Sequence, residues 1–154
     1  MIIKANSSHI DTLLEFKRKM VIAMQDFDSP VRVEEIDFVQ LKEKLLKDLE
    51  DENFYFMLYS SQDKYIAYII FNIVKLPVLI DDKYILNISN VYTDTKHRKK
   101  GYAQELINHA IEIAKEKNCV QVELSVLKGN PAKGLYEKMG FQTLDYNMLY
   151  QISP

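Results

Sequence analysis

Between Phe54 and Thr93 the chain carries three strand-forming segments in a row, and this run limits its fold more than any other feature. Phe54 to Tyr59 is rich in aromatic residues, Tyr65 to Val74 is a longer apolar stretch, and Tyr84 to Thr93 is a third. Ser60-Ser61-Gln62-Asp63 and Asp81-Asp82-Lys83 turn the chain between them. Short connections of this kind make antiparallel neighbours. The period then changes. Ala103, Leu106, Ile107, Ala110, Ile111 and Ala114 fall at i, i+3, i+4, i+7, i+8 and i+11, one face of an amphipathic helix. Val120, Val122, Leu124 and Val126 alternate with Gln121, Glu123 and Ser125, as in a half-buried strand. A three-stranded meander is thus followed by a helical crossover into a further strand.

The flanks complete the pattern. Ile2-Ile3-Lys4-Ala5 reads as a short strand, and Ser7 or Ser8 offers an N-cap to a helix carrying Ile10, Leu13, Leu14, Met20, Val21 and Met24. Asp28-Ser29-Pro30 breaks that helix, and a second carries Phe38, Leu41, Leu45 and Leu49. A short helix from about Pro131 to Lys138 stops at Gly140, and Phe141 to Tyr150 reads as a closing strand. The expected order is β-α-α-β-β-β-α-β-α-β, an α/β fold with a mixed, mostly antiparallel sheet. No repeat or Pro/Gly/Ser-rich linker divides the chain, so residues 1–154 read as a single domain.

Composition removes several classes of function. The 154 residues include 20 Lys and Arg against 22 Asp and Glu, a net charge of -2 that argues against nucleic acid as the main partner. The single cysteine, Cys119, makes no internal disulfide and gives no sign of an oxidising compartment. The N-terminus lacks the apolar core of a secretory signal, and Tyr65 to Ile80 is interrupted by Lys75 and Pro77 and too short for a span. The expectation is a soluble, cytoplasmic protein without a membrane partner. His9, His97 and His109 are scattered, so no metal site is expected. There are only four glycines, well under the usual ~7%, and all lie between 101 and 140.

Lys96-His97-Arg98-Lys99-Lys100-Gly101-Tyr102-Ala103 sits where a strand ends and the amphipathic helix begins. A helix N-terminus carries backbone N–H groups without intrahelical partners and the positive end of the macrodipole, which suits phosphate. Gly101 allows close approach of the backbone, and the cations run against the usual acidic preference of a first turn. A solvated basic turn has the same composition. The Walker A pattern and the dinucleotide fingerprint are both absent.

Asn90-Val91-Tyr92-Thr93 followed by Arg98-Lys99-Lys100-Gly101-Tyr102-Ala103 resembles the fourth-strand ending and pyrophosphate loop, Gln/Arg-x-x-Gly-x-Gly/Ala, of the GNAT superfamily of acyl-CoA-dependent N-acyltransferases. Ala132 and Leu135-Tyr136-Glu137-Lys138-Met139-Gly140-Phe141 resemble the family's second signature, in the family's order and at about its distance. The resemblance covers essentially the whole chain. It implies strands four and five splayed around coenzyme A, with pantetheine along the backbone of Val91, Tyr92 and Thr93 and the pyrophosphate on the N–H groups of Arg98, Lys99, Lys100, Gly101, Tyr102 and Ala103. It implies that Lys96, Lys99 or Lys100 approaches the remaining phosphate, and that Tyr136 protonates the departing thiolate. The family often places Asn seven residues before that tyrosine; here Gly129 holds that register and Asn130 follows, either as a cofactor contact or as a helix cap with Pro131 at N1.

The acceptor side says less. Acyl transfer to an amine needs a base or a water relay. The fourth strand offers no carboxylate from Ile85 to Val91, leaving Asn87, Ser89, Asn90 and Ser125 to order water. Glu123 reads as a solvated strand position, and Glu34, Glu35 and Asp37 as the acidic start of a helix. The leading expectation is an N-acyltransferase moving acetyl from acetyl-CoA to a small-molecule or peptide amine, as a monomer or homodimer. The rival is an acyl-CoA-binding sensor or scaffold without catalysis.

Overall fold

The computed structural model describes residues 1–27, 29–77 and 82–153. Its elements are β1 (Ile2–Lys4), α1 (Ile10–Met24), α2 (Phe38–Asp48), β2 (Phe54–Ser61), β3 (Lys64–Lys75), β4 (Tyr84–Thr93), α3 (Tyr102–Glu116), β5 (Gln121–Leu124) and α4 (Ala132–Lys138). They form one sheet in the order β1-β2-β3-β4-β5, antiparallel except where β5 runs parallel to β4. The parallel pair follows from the crossover: α3 returns the chain to the edge from which β4 left.

Helices cover both faces, which explains why β3 reads as a nearly continuous apolar run. Tyr68 and Ile70 point with Phe56 and Leu58 toward Leu13 and Phe16 of α1 and Leu45 of α2. Ile69 and Phe71 point the other way with Met57, Leu86 and Ile88, against Leu106, Ile107, Ala110 and Ala114 of α3. The side chains of Phe56, Leu58, Tyr68, Ile69 and Phe71 are fully buried. For Phe56, Leu58, Ile69 and Phe71 such burial stabilises the fold by about 1.5–3 kcal/mol each relative to leaving the side chain in water.

Local signals decide the ends. Asn6, rather than Ser7 or Ser8, caps the start of the first helical segment, its Oδ1 accepting from the Ser8 N–H at 2.9 Å. Asp37 caps α2 through the N–H groups of Val39 and Gln40 at 3.0 and 3.1 Å. The β2–β3 turn is a two-residue loop closed by Ser61 opposite Lys64, with Gln62 and Asp63 both left-handed at φ 49° and 60°. That turn matches the twist of the strands it joins, although neither residue is the glycine or asparagine it prefers. The expected turns at Asp28 and Asp81 lie outside the described residues.

One expectation is corrected. Phe141 to Tyr150 forms no strand, and the chain leaves the sheet after Phe141 with its side chains exposed. A strand requires a neighbouring backbone as well as a pattern, and β5 takes hydrogen bonds from β4 alone. Among the described residues no helix is long and apolar enough to cross a membrane.

Candidate functional site

The site begins with an irregularity in β4. Ile70 of β3 lies opposite Asn90 and Phe71 opposite Ile88, so Ser89 is an extra residue, a β-bulge. Its hydroxyl donates to the Ile70 carbonyl at 3.3 Å. The bulge reverses the alternation. Leu86 and Ile88 face α3 before it and Val91 does so after it, while Tyr92 turns to the α1 side. Pairing with β5 covers Ile85 to Ile88 against Gln121 to Leu124 and stops there. From Ser89 to Thr93, β4 continues without its neighbour, so the two strands part at the bulge.

The open edge has defined polarity. The Asp94 N–H bonds the Ile66 carbonyl of β3, while the Thr93 carbonyl accepts from the Arg98 Nε at 3.1 Å. Peptide groups alternate along a strand, so Val91 and Thr93 present theirs to the open edge and Tyr92 does not. The Tyr92 ring is in the core, against Phe16 and Tyr68 at centroid distances of 6.1 and 5.8 Å. The Thr93 hydroxyl oxygen is shielded from solvent and has no hydrogen-bond partner among the described residues. A buried polar atom left in that state costs about 1–3 kcal/mol unless something pairs with it.

Beyond β4 the chain crosses a short helical turn, Thr95–His97, into the basic loop. Lys99 is left-handed at φ 62°, and Gly101 is left-handed at φ 87°. A lysine in that region is uncommon and strained, and alternation of this kind turns successive N–H groups toward one side as an anion-binding concavity. Gly101 stands at the N-cap of α3, and no side chain caps the helix. The first-turn N–H groups are therefore available to an anion. Tyr102 anchors this end. Its ring lies 4.7 Å from that of Tyr59, whose hydroxyl donates to Glu105 at 2.9 Å. Lys99 and Lys100 are exposed, as is Lys96, and none of them is in an ion pair among the described residues.

Tyr136, on α4, packs against the same apolar cluster as Val91, Tyr102 and Leu124, with Phe141 edge-on at 6.0 Å. Burial raises its phenol above the ordinary tyrosine pKa, so it stays protonated at neutral pH. Asn130 takes the capping role: its Oδ1 accepts from the Ala132 N–H at 3.0 Å. Gly140 ends the segment at φ 99°, the left-handed stop its sequence position predicts.

The opposite face of β4 holds a residue that the sequence reading passed over. Lys17 of α1 reaches Asn90 at 3.3 Å. Its pKa is lowered to about 8, by burial first and then by Lys44, with Asp48 opposing. The signal was available. Lys17 occupies the i+7 place of the apolar stripe that runs through Ile10, Leu13 and Leu14, where a charge has no ordinary reason to be. Its neighbour Lys19 pairs with Asp94 at 3.2 Å.

The remaining candidates are not gathered at the opening. Glu34 and Glu35 lie in a separate helical turn, Asp37 is a cap, and Glu123 accepts from Gln121 at 2.5 Å. A groove of about 530 Å³ between α1 and the β2–β3 turn is lined by acids and bases together, including Asp11, Glu15, Lys19, Asp63 and Lys64. Among the described residues no group of His, Cys, Asp or Glu is placed to hold a metal ion.

Residues 19–141 match the family model described as Acetyltransferase (GNAT) family. No curated protein matches the chain. Among solved structures, a mutant of the BH1408 protein from Bacillus halodurans superposes with a TM-score of 0.85 at 16% identity, covering 99% of each chain. A predicted acetyltransferase from Clostridium acetobutylicum, solved with acetyl-CoA, gives 0.78 at 22% identity over 99% of this chain and 96% of that one. A possible acetyltransferase from Clostridium difficile 630 gives 0.77 at 26% identity over 100% and 98%.

Proposed function

Because the chain belongs to the acetyltransferase (GNAT) family, we propose that it moves an acetyl group from acetyl-CoA to a primary amine by direct attack in a ternary complex. The observation that carries this reading is the junction of two features: β4 and β5 part at the Ser89 bulge, and the uncapped start of α3 lies just beyond the end of β4. An extended pantetheine arm suits the first, a pyrophosphate the second. The unpartnered Thr93 hydroxyl fits a polar ligand along that edge.

In this reading the N–H groups of Arg98 to Ala103 bind the pyrophosphate, and Lys96, Lys99 and Lys100 add charge for the remaining phosphate. Val91 offers its peptide groups to the arm, and Thr93 does so once Arg98 releases its carbonyl. Tyr92 contributes backbone position only, and Asn130 contributes by holding α4 in place. The amine nitrogen forms its bond to the thioester carbonyl carbon, the C–S bond breaks, the thiolate takes the Tyr136 proton, and the second proton shed by the nitrogen as it becomes an amide restores the Tyr136 phenol. The proton leaving the attacking ammonium passes to Lys17 beyond Asn90, or through water ordered by Asn90 to solvent. A lysine with a pKa of about 8 is a competent base near neutral pH.

The test is thiol release from acetyl-CoA across a broad panel of amines. Acceptor-dependent release supports the proposal, with a rate that rises with pH through an apparent pKa near 8 if Lys17 is the base. The absence of any carboxylate on β4 between Ile85 and Val91 favours a second reading, an acyl-CoA-binding module without catalysis. Tight binding of acetyl-CoA with no acceptor-dependent release across the panel would establish that reading instead.

A further inference from the structure

We propose that Lys17 is a self-acylation site: when no amine fills the acceptor position, its Nζ takes the acyl group of a bound acyl-CoA. The inference rests on the acyl-CoA reading given above and adds to it a covalent modification of the chain itself. Lys17 reaches across from α1 to β4, where its Nζ donates to the Asn90 Oδ1 at 3.3 Å. Asn90 belongs to the stretch from Ser89 to Thr93 along which β4 runs without β5. Five residues of extended strand span about 16 Å. With the pyrophosphate at the start of α3, beyond Thr93, the arm runs back along this stretch and leaves its thioester beside Ser89 and Asn90. Two lysines of α1 thus touch β4 or its end, at different places. Lys19 pairs with Asp94 at 3.2 Å, at the phosphate end, and Lys17 stands at the thioester end.

An amine attacks a thioester only in its neutral form. The surroundings of Lys17 favour that form. Its hydrogen-bond partner is a neutral amide rather than a carboxylate, and it makes no ion pair among the described residues. Lys44 of α2 opposes its charge, while the nearby Asp48 is engaged by Lys44 at 2.5 Å. With a pKa of about 8, Lys17 holds about 300-fold more neutral amine at pH 7 than a lysine at the ordinary 10.5. The residue is only partly buried, which leaves its nitrogen an approach.

The step balances without a further reagent. The ammonium first gives one proton to solvent. The neutral nitrogen then bonds to the thioester carbonyl carbon, and the C–S bond breaks. The second proton shed by the nitrogen reaches the CoA thiolate, directly or by way of Tyr136. The products are an amide on Lys17 and the free CoA thiol. A charge that was costly to bury becomes a neutral group, so the fold loses nothing by the change. The base assigned above is lost with it. Acyl-CoA without an acceptor therefore takes the enzyme out of turnover.

The test is to incubate the full chain with acetyl-CoA alone at pH 7.5 and map acetylated lysines by tandem mass spectrometry over time. One acetyl group per chain should appear on Lys17, at a rate that saturates with acetyl-CoA and does not depend on protein concentration. That rate should exceed the rate at Lys19 by at least ~30-fold, because only one of the two lies beside the thioester. Gly101→Glu should slow the mark on Lys17 at least ~10-fold and leave slow labelling of the exposed Lys96, Lys99 and Lys100 unchanged. Titration of acetyl-CoA into the same preparation separates the two ways of failing. Binding with Lys17 unmodified would overturn self-acylation alone, and absence of binding would overturn it together with the reading beneath it. Equal rates at Lys17, Lys19 and the exposed lysines would also overturn it, as would a rate at Lys17 that Gly101→Glu leaves unchanged, since acetylation from solution would then account for the mark.

Discussion

Tyr136 is the residue on which the chemistry of the proposed reaction turns. Its phenol is kept neutral by burial, and its ring is held against Phe141 on a helix that Asn130 caps. Tyr136→Phe should preserve this packing and lower kcat about 100-fold, while acetyl-CoA affinity stays within about threefold of wild type. Equal turnover in the two proteins would remove the general-acid role. Lys17 predicts a stability effect. Below pH 8 it is charged in both states, and folding carries the full cost of burying that charge. Between about pH 8 and 10.5 the unfolded chain still holds a proton that the folded chain has lost, so stability rises with pH. Lys17→Met should therefore stabilise the protein at pH 7 by up to about 3 kcal/mol and flatten this rise, as read from urea midpoints at about pH 7 and pH 10. Tyr68 is simpler. Its hydroxyl is buried without a partner among the described residues, so Tyr68→Phe should be neutral or stabilising by up to about 1 kcal/mol in the same assay.

The elements differ in how firmly their sequences specify them. α3 is specified twice, by the periodic stripe that buries Leu106, Ile107, Ala110 and Ala114 and by the glycine that opens it. The β2–β3 hairpin is underspecified at its turn, where Gln62 and Asp63 carry positive φ. The double variant Gln62→Asn with Asp63→Gly installs the pair that this turn prefers. It should raise stability by about 1 kcal/mol in thermal or urea unfolding and leave acetyl-CoA binding unchanged. β4 needs both its pattern and its flaw. Without the extra residue at Ser89, Tyr92 would leave the core under α1 and Val91 would lose its place beneath α3.

Much of the architecture was legible because burial on two faces imposes periods of 2 and 3.6 on the chain. The bounds of β4 and the run of buried residues in α3 follow from alternation and stripe alone. The bulge was not legible, since one polar residue in a strand of mixed polarity looks like any other. Nor was the fate of residues 141–150, where the pattern of a strand is present and, among the described residues, no neighbouring strand pairs with it. The start of α3 after Gly101 could be read because glycine and clustered cations are conspicuous before an apolar stripe of helical period. Lys17 could not be read as easily, because its effect depends on a contact with Asn90 that spans 73 positions of chain. The central claim is that the start of α3 and the parted strands together bind acyl-CoA. Equilibrium titration of acetyl-CoA into wild-type protein and Gly101→Glu tests it most directly. Micromolar binding is expected for wild type and its loss in the variant, where a carboxylate and a strained backbone would meet the pyrophosphate. Binding of equal strength to both proteins, or to neither, would contradict it.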